Sequence, residues 1–164
     1  MAFVHEKLYL SKNLSKIDFN DYLTTLISNL YRSYSVSPAR VVLRLDVEDV
    51  FLGIDTAIPC GLVVDELITN SLKYAFPGER KGEAHVMLRK AGEDEKRERL
   101  YELTVEDNGV GIPREVDMGG ANTLGLYLVS TLVEHQLRGY IDLKREGGTK
   151  FFIRLKELKY KGRI

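Results

Sequence analysis

The run DELITNSLKYAF, Asp65 to Phe76, constrains this chain more than any other stretch. With the preceding PCGLVV it is long and apolar enough for a helix that must be covered over most of its circumference. Glu66, Asn70 and Lys73 interrupt the apolar residues at spacings of four and three, so they share one side of a helical wheel. Val64, Ile68, Ser71 and Ala75 fall on the other side. Such a helix buries its apolar back and keeps one polar stripe free. On its own, that stripe reads first as a solvated Glu–Lys face.

The chain of 164 residues allows one domain with a proper core. Hydrophobic residues are 44% and charged residues 29%, an ordinary globular composition. Lys+Arg and Asp+Glu both number 24, so no global basic field points to a nucleic-acid partner. The single cysteine, Cys60, excludes a disulfide within the chain and fits a reducing compartment. No apolar run nears the ~18 residues that cross a membrane, and the N-terminus has no signal pattern. A cytoplasmic segment without membrane contact is expected, whatever the full-length protein carries elsewhere.

Residues 1–9 read as a short amphipathic helix or the end of a longer one. Asp18 is placed to cap a helix to about Tyr34, with Phe19, Tyr22, Leu23, Leu26, Ile27 and Leu30 as its apolar stripe. The β-branched run ARVVLRLDVEDVFLGID reads as two strands with a turn near Glu48–Asp49. Pro59 is the expected start of the central helix, and FPG its end. Two strands follow, EAHVMLRK and RLYELTVED, around a solvated turn. The Gly-rich loop NGVGIPREVDMGGANT is long for a small domain. A helix over about Leu124–Leu137, closed by Gly139, and a final hairpin with a Gly-Gly turn complete the order. This order predicts an α+β, two-layer sandwich: a mixed, mainly antiparallel sheet with helices on one face.

Three further features carry chemistry. In VEDNGVGIP a strand ends in Asp107, followed at once by Asn108, Gly109 and Gly111. A carboxylate there can accept from an exocyclic amine, while the glycines leave room for a flat ring. In NTLGLYLV, Gly125 sits at a helix start, where free N–H groups and the helix dipole favour anions. In GGTKFFI, Thr149 opens the last strand.

In this order the motifs resemble the ATP-binding domain of histidine kinases, a fold shared with gyrase, mismatch-repair ATPases and a heat-shock chaperone. DELITNSLKYAF resembles the N box, DNGVGI and LGLYLV the two glycine boxes, and GGTKFFI the closing strand; the resemblance covers about residues 40–156. NTLGL and the upstream HEKLYLSKNLSKIDFNDYL are similar to the subclass whose phosphoacceptor helix carries H-x-x-K-N-N.

The resemblance implies ATP and Mg²⁺ as cofactors. Asn70 would give an oxygen to the metal, Glu66 would hold water or act as base toward a histidine, and Lys73 would offset phosphate charge. Tyr74 would cover the ring or ribose. Asp107 would take the adenine amine, with Gly109, Gly111, Ile112 and Thr149 completing the slot. Leu124, Gly125 and Leu126 would form the phosphate side, the latter two through backbone N–H groups. Residues 1–35 would be the helical end of the phosphoacceptor region and 36–160 the catalytic domain. The implied activity is transfer of the γ-phosphoryl group to a histidine in two-component signalling. The implied partners are a phosphoacceptor domain, expected upstream, and a downstream response regulator, within a homodimeric full-length protein. His5 precedes an acid but lacks the Pro or Lys-Asn-Asn that follows phosphoacceptor histidines, so this chain is expected to bind Mg·ATP without labelling itself. His85 and His135 read as structural. The alternatives are a serine kinase and binding module of the anti-sigma-factor type and, more remotely, an ATP-operated clamp.

Overall fold

The computed structural model describes residues 16–113, 115 and 124–157, with Leu124 described by its backbone only. His5, the helix read over residues 1–9, and residues 114 and 116–123 of the Gly-rich loop lie outside the described residues.

The chain begins with β1 (Ile17–Asp18) and α1 (Phe19–Ser33). The Asp18 side chain accepts from the Asp21 N–H at 3.2 Å, the expected cap. The six residues read as the apolar stripe of α1 are its buried residues. Strand β2 (Val41–Val47) follows, then β3 (Phe51–Leu52). Both strands and the turn near Glu48–Asp49 lie where the sequence places them, but the two do not pair with each other. Instead β3 pairs antiparallel with β1, while β2 runs parallel to β4 (Gly82–Glu93). The free edge of β2 is taken by α1: the Tyr31 hydroxyl donates to the Val41 carbonyl at 2.6 Å and accepts from the Leu43 N–H at 2.7 Å. One side chain thus satisfies backbone groups that a hairpin partner would have used.

Helix α2 (Ile54–Asn70) starts a turn earlier than Pro59 predicts. Gly53 caps it, its carbonyl accepting from Thr56 N at 3.0 Å and Ala57 N at 2.8 Å. Pro59 lies inside the first two turns, where its missing N–H removes one backbone bond. A π-helical turn, Ser71–Ala75, continues the helix to Phe76.

Strand β5 (Arg99–Asp107) returns antiparallel to β4. After the Gly-rich loop come α3 (Leu124–Thr131) and a second π-helical turn, Leu132–Gln136. The left-handed residue behind it is Arg138, with φ 50°, and not the expected Gly139. Glycine is required at 139 for space: a Cβ there would overlap the Arg154 carbonyl oxygen. The hairpin β6 (Tyr140–Lys144) and β7 (Thr149–Lys156) closes the chain, with Gly147 and Gly148 at positive φ in its turn.

The sheet order is β2-β4-β5-β7-β6, with a single parallel pair, so the fold is the mixed, mainly antiparallel α+β sandwich expected. Strand β7 alternates strictly: Phe151, Ile153 and Leu155 are buried, and the residues between them are not. Those inward residues meet Leu67 and Ile68 of α2 and Val129 of α3 in one core. Phe19, Leu23 and Leu26 of α1 belong to that same core, so packing shows no break at residue 35. The opposite face carries cross-strand ion pairs, among them Arg154–Glu102 at 2.7 Å and Arg89–Asp46 at 3.1 Å. Among the described residues, no helix is long and apolar enough to cross a membrane.

Candidate nucleotide site

The end of α2, the end of β5, the start of β7 and the start of α3 converge on one cavity of about 360 Å³. Its walls are mostly apolar: Leu67 and Ala75 from the helix side, Val110, Ile112 and Pro113 from the loop, Leu126 and Phe151 beneath. Polar groups enter from few points: Asn70, Ser71, Tyr74, Asp107 and Thr149. Apolar walls with a few convergent polar groups are the usual character of a small-molecule site.

Asp107 is held through both carboxylate oxygens. Its Oδ1 accepts from the Gly109 N–H at 3.0 Å, and its Oδ2 accepts from the Ser71 hydroxyl at 2.7 Å. Each oxygen keeps a further lone pair, so the carboxylate can still accept from a ligand. The loop behind it is fixed by backbone: Val110 N–H donates to the Ala75 carbonyl at 2.9 Å, and Asn108 pairs with Glu83 through N–H (3.2 Å) and side-chain oxygen (2.8 Å). Gly111 has φ 85°, a conformation that side chains resist. Gly109 does not line the cavity; it lets the loop touch the helix end, where a Cβ would overlap the Ala75 carbonyl.

On the other side of the cavity, Glu66, Asn70 and Gly125 come together. A Cβ on Gly125 would lie 2.8 Å from Glu66 Oε2 and 4.0 Å from Asn70 Nδ2. The missing side chain brings the start of α3 against the polar stripe of α2. Beside it, the half-buried Asp65 carboxyl is pushed up by burial and then by the charge of Glu66. Lys73 stands apart: it is exposed, and its ammonium sits 5.4 Å from the centroid of the Tyr34 ring. Tyr74 lies at the mouth and is 68% exposed.

The structure therefore gathers Asn70, Tyr74, Asp107, Gly111, Ile112, Leu126 and Thr149 around the cavity, with Glu66 and Gly125 adjoining. Val64, Ile68, Ser71 and Ala75 are all buried, as the helix wheel places them, and Ser71 and Ala75 line the cavity as well. The signal for Ser71 was a hydroxyl among apolar positions, but the partner that explains it lies 36 residues away.

The residues suit an adenine nucleotide with a hard divalent cation. The amide and carboxylate of Asn70 and Glu66 are hard oxygen donors. Among the described residues no group of three or more His, Cys, Asp or Glu could hold a metal, so a cation here would depend on ligand and water oxygens as well. Mg²⁺ tolerates that arrangement best.

Comparison with known proteins identifies the family. The family model described as histidine kinase-, DNA gyrase B-, and HSP90-like ATPase matches residues 55–159, and a second model, described as histidine kinase, matches residues 1–34. The chain is 27% identical over 159 residues to the sensor histidine kinase PdtaS of Mycobacterium tuberculosis, covering 94% of this chain and 30% of that protein. It is 32% identical over 118 residues to blue-light-activated histidine kinase 2 of Erythrobacter litoralis, covering 72% of this chain and 32% of that one. Among solved structures, a blue-light activated histidine kinase of Erythrobacter litoralis superposes with a TM-score of 0.71 at 27% identity, covering 85% of this chain and 42% of that chain. The chain thus spans about 30% of the length of the curated relatives it matches.

Proposed function

This chain belongs to the histidine kinase-, DNA gyrase B- and HSP90-like ATPase family, and from that premise we propose that it is the ATP-binding catalytic part of a sensor histidine kinase. In this reading it moves the γ-phosphoryl group of ATP to a histidine on a phosphoacceptor domain, from which a response regulator is charged. The observation that carries the reading is the Asp107 carboxylate, held from both sides at the edge of an apolar cavity that the Asn70 and Glu66 stripe flanks.

Asp107 accepts from the adenine amine, and Val110, Ile112 and Phe151 close on the ring. Gly111 and Thr149 complete the slot, and Tyr74 covers its mouth. The N–H groups at the start of α3, at Gly125 and Leu126, face the phosphates. Asn70 would hold Mg²⁺ through its side-chain oxygen, with Glu66 ordering water or taking the proton of the incoming histidine. Bound there, Mg²⁺ would neutralise charge on the phosphates. Lys73 joins once its side chain turns from Tyr34. Phosphoryl transfer asks little covalent chemistry of a protein, so positioning and charge account for most of the catalysis.

The test is γ-labelled ATP with this chain and an added protein that carries a phosphoacceptor histidine helix. Acid-labile, base-stable label on that histidine is the expected result, and Asn70→Ala should abolish it while leaving the fold intact. Wild-type transfer by Asn70→Ala would remove the metal role. Acid-stable label on a partner's serine would replace the reading with the anti-sigma-factor type.

A further inference from the structure

Ser71 uses its hydroxyl unlike the hydroxyls of α1. Thr24, Thr25 and Ser28 bond back to the carbonyls of Asn20, Asp21 and Thr24, the ordinary habit of a hydroxyl inside a helix. Ser71 opens a π-helical turn, is 7% exposed, and sends its hydroxyl across to Asp107 Oδ2 at 2.7 Å. A π-helical turn departs from the regular ladder and is often found at functional sites. The bond joins the helix that carries Asn70 to the strand end that carries the acceptor.

We propose that Ser71 is a positioning residue for base selection: its hydroxyl fixes the Asp107 carboxylate so that the remaining lone pairs face the cavity, favouring a 6-amino purine over a 6-keto purine. The inference rests on the nucleotide reading above. The Gly109 N–H holds only Oδ1. Without Ser71 the carboxylate is free to turn about its Cβ–Cγ bond, and an amine must then order it on binding. A 6-keto purine presents an acceptor to an acceptor, and gains nothing from a well-held carboxylate. Loss of Ser71 therefore acts on the 6-amino base and spares the phosphate side.

The experiment is competition binding on this chain with ATP, inosine triphosphate and tripolyphosphate, for wild type, Ser71→Ala and Ser71→Thr. Ser71→Ala should weaken ATP about tenfold, the scale of one hydrogen bond to a charged acceptor. Inosine triphosphate and tripolyphosphate should change less than twofold, so the ratio of ATP to inosine triphosphate falls about tenfold. Ser71→Thr keeps a hydroxyl and should restore much of the ratio. An unchanged ratio in Ser71→Ala overturns the proposal. So does equal weakening of all three ligands, which would mark a purely structural role. If wild type itself fails to prefer ATP over inosine triphosphate, the nucleotide reading falls first.

Discussion

The two ends of β5 carry nearly the same local motif and do different things. At one end Asp94, in the turn before the strand, accepts from the N–H two residues on, Lys96, at 2.9 Å, and from Glu98 N–H at 2.9 Å. At the other end Asp107 accepts from the N–H two residues on, Gly109, at 3.0 Å. The second oxygen separates them. That of Asp94 meets Lys156 at 3.0 Å in a turn bordered by exposed residues. That of Asp107 meets a buried hydroxyl beside an apolar cavity. The Asx turn itself is only a way of folding a strand end. What makes one end a candidate site is the apolar wall beyond it, and the neighbours that leave the carboxylate beside that wall.

The largest test of this contrast is packing. A Cβ on Gly148 would overlap the Asp107 carbonyl oxygen, and Gly148 has φ 126°. Gly92, in the bulged end of β4 beside the Asp94 turn, has φ 87° and nothing within 4 Å. Gly148→Ala should cost roughly 3 kcal/mol or more, through overlap added to backbone strain. Gly92→Ala should cost about 1 kcal/mol, from strain alone. Urea midpoints decide it, and equal losses would erase the difference in packing between the two ends.

Binding comes next. Asp107→Asn should weaken an ATP analogue by ~10–100-fold, because an amide can turn a donor toward the amine. Asp94→Asn should leave affinity unchanged. Calorimetry that finds Asp107→Asn at wild-type affinity would reduce its motif to a turn like the other.

A pH scan then separates the buried core from the wet turn. Burial pushes the Cys60 thiol up to about 12 from its ordinary value near 9. The native state therefore keeps a proton that the unfolded chain gives up, and stability is full below about pH 9 and falls as pH rises toward 12. The share of Cys60 in the slope is ~1.4 kcal/mol per pH unit, and Cys60→Ala should remove that share, leaving the part that burial of Tyr22 and Tyr101 contributes.

The smallest effect lies in acid. The Asp94 carboxyl is held below its ordinary range, first by the Glu98 backbone N–H and then by Lys156. Its contribution is present above about pH 4 and is lost as pH falls through the lowered value. Asp94→Asn should flatten that part of the acid limb by a small amount, measured by thermal melts. An unchanged limb would show that the turn's bonds do not contribute.

What could be read in advance follows the range of each interaction. The stripe and cap of α1 and the closing hairpin are patterns within a few residues, and they appear as read; the Asp107 turn is as local, but Gly109 packs on the end of α2 and does not line the cavity. The start of α2 was displaced because proline is a strong local signal that Gly53, a weaker one, outweighs through its carbonyl. Strands β2 and β3 lie where they are read, but nothing near them announces that Tyr31 occupies the edge of β2 and that β3 pairs with β1.

The sequence by itself determined the periodicities, the turn chemistry and the inventory of chemical groups: a polar stripe, a carboxylate before glycines, a glycine at a helix start. Those are consequences of backbone geometry and side-chain type, and they act locally. Tertiary structure alone decided which strand pairs with β2, that α1 shares the core, that Lys73 rests on Tyr34, and that Ser71 holds Asp107. These contacts join residues tens of positions apart. Their partners are selected by which apolar faces bury together, a condition satisfied by the whole chain at once.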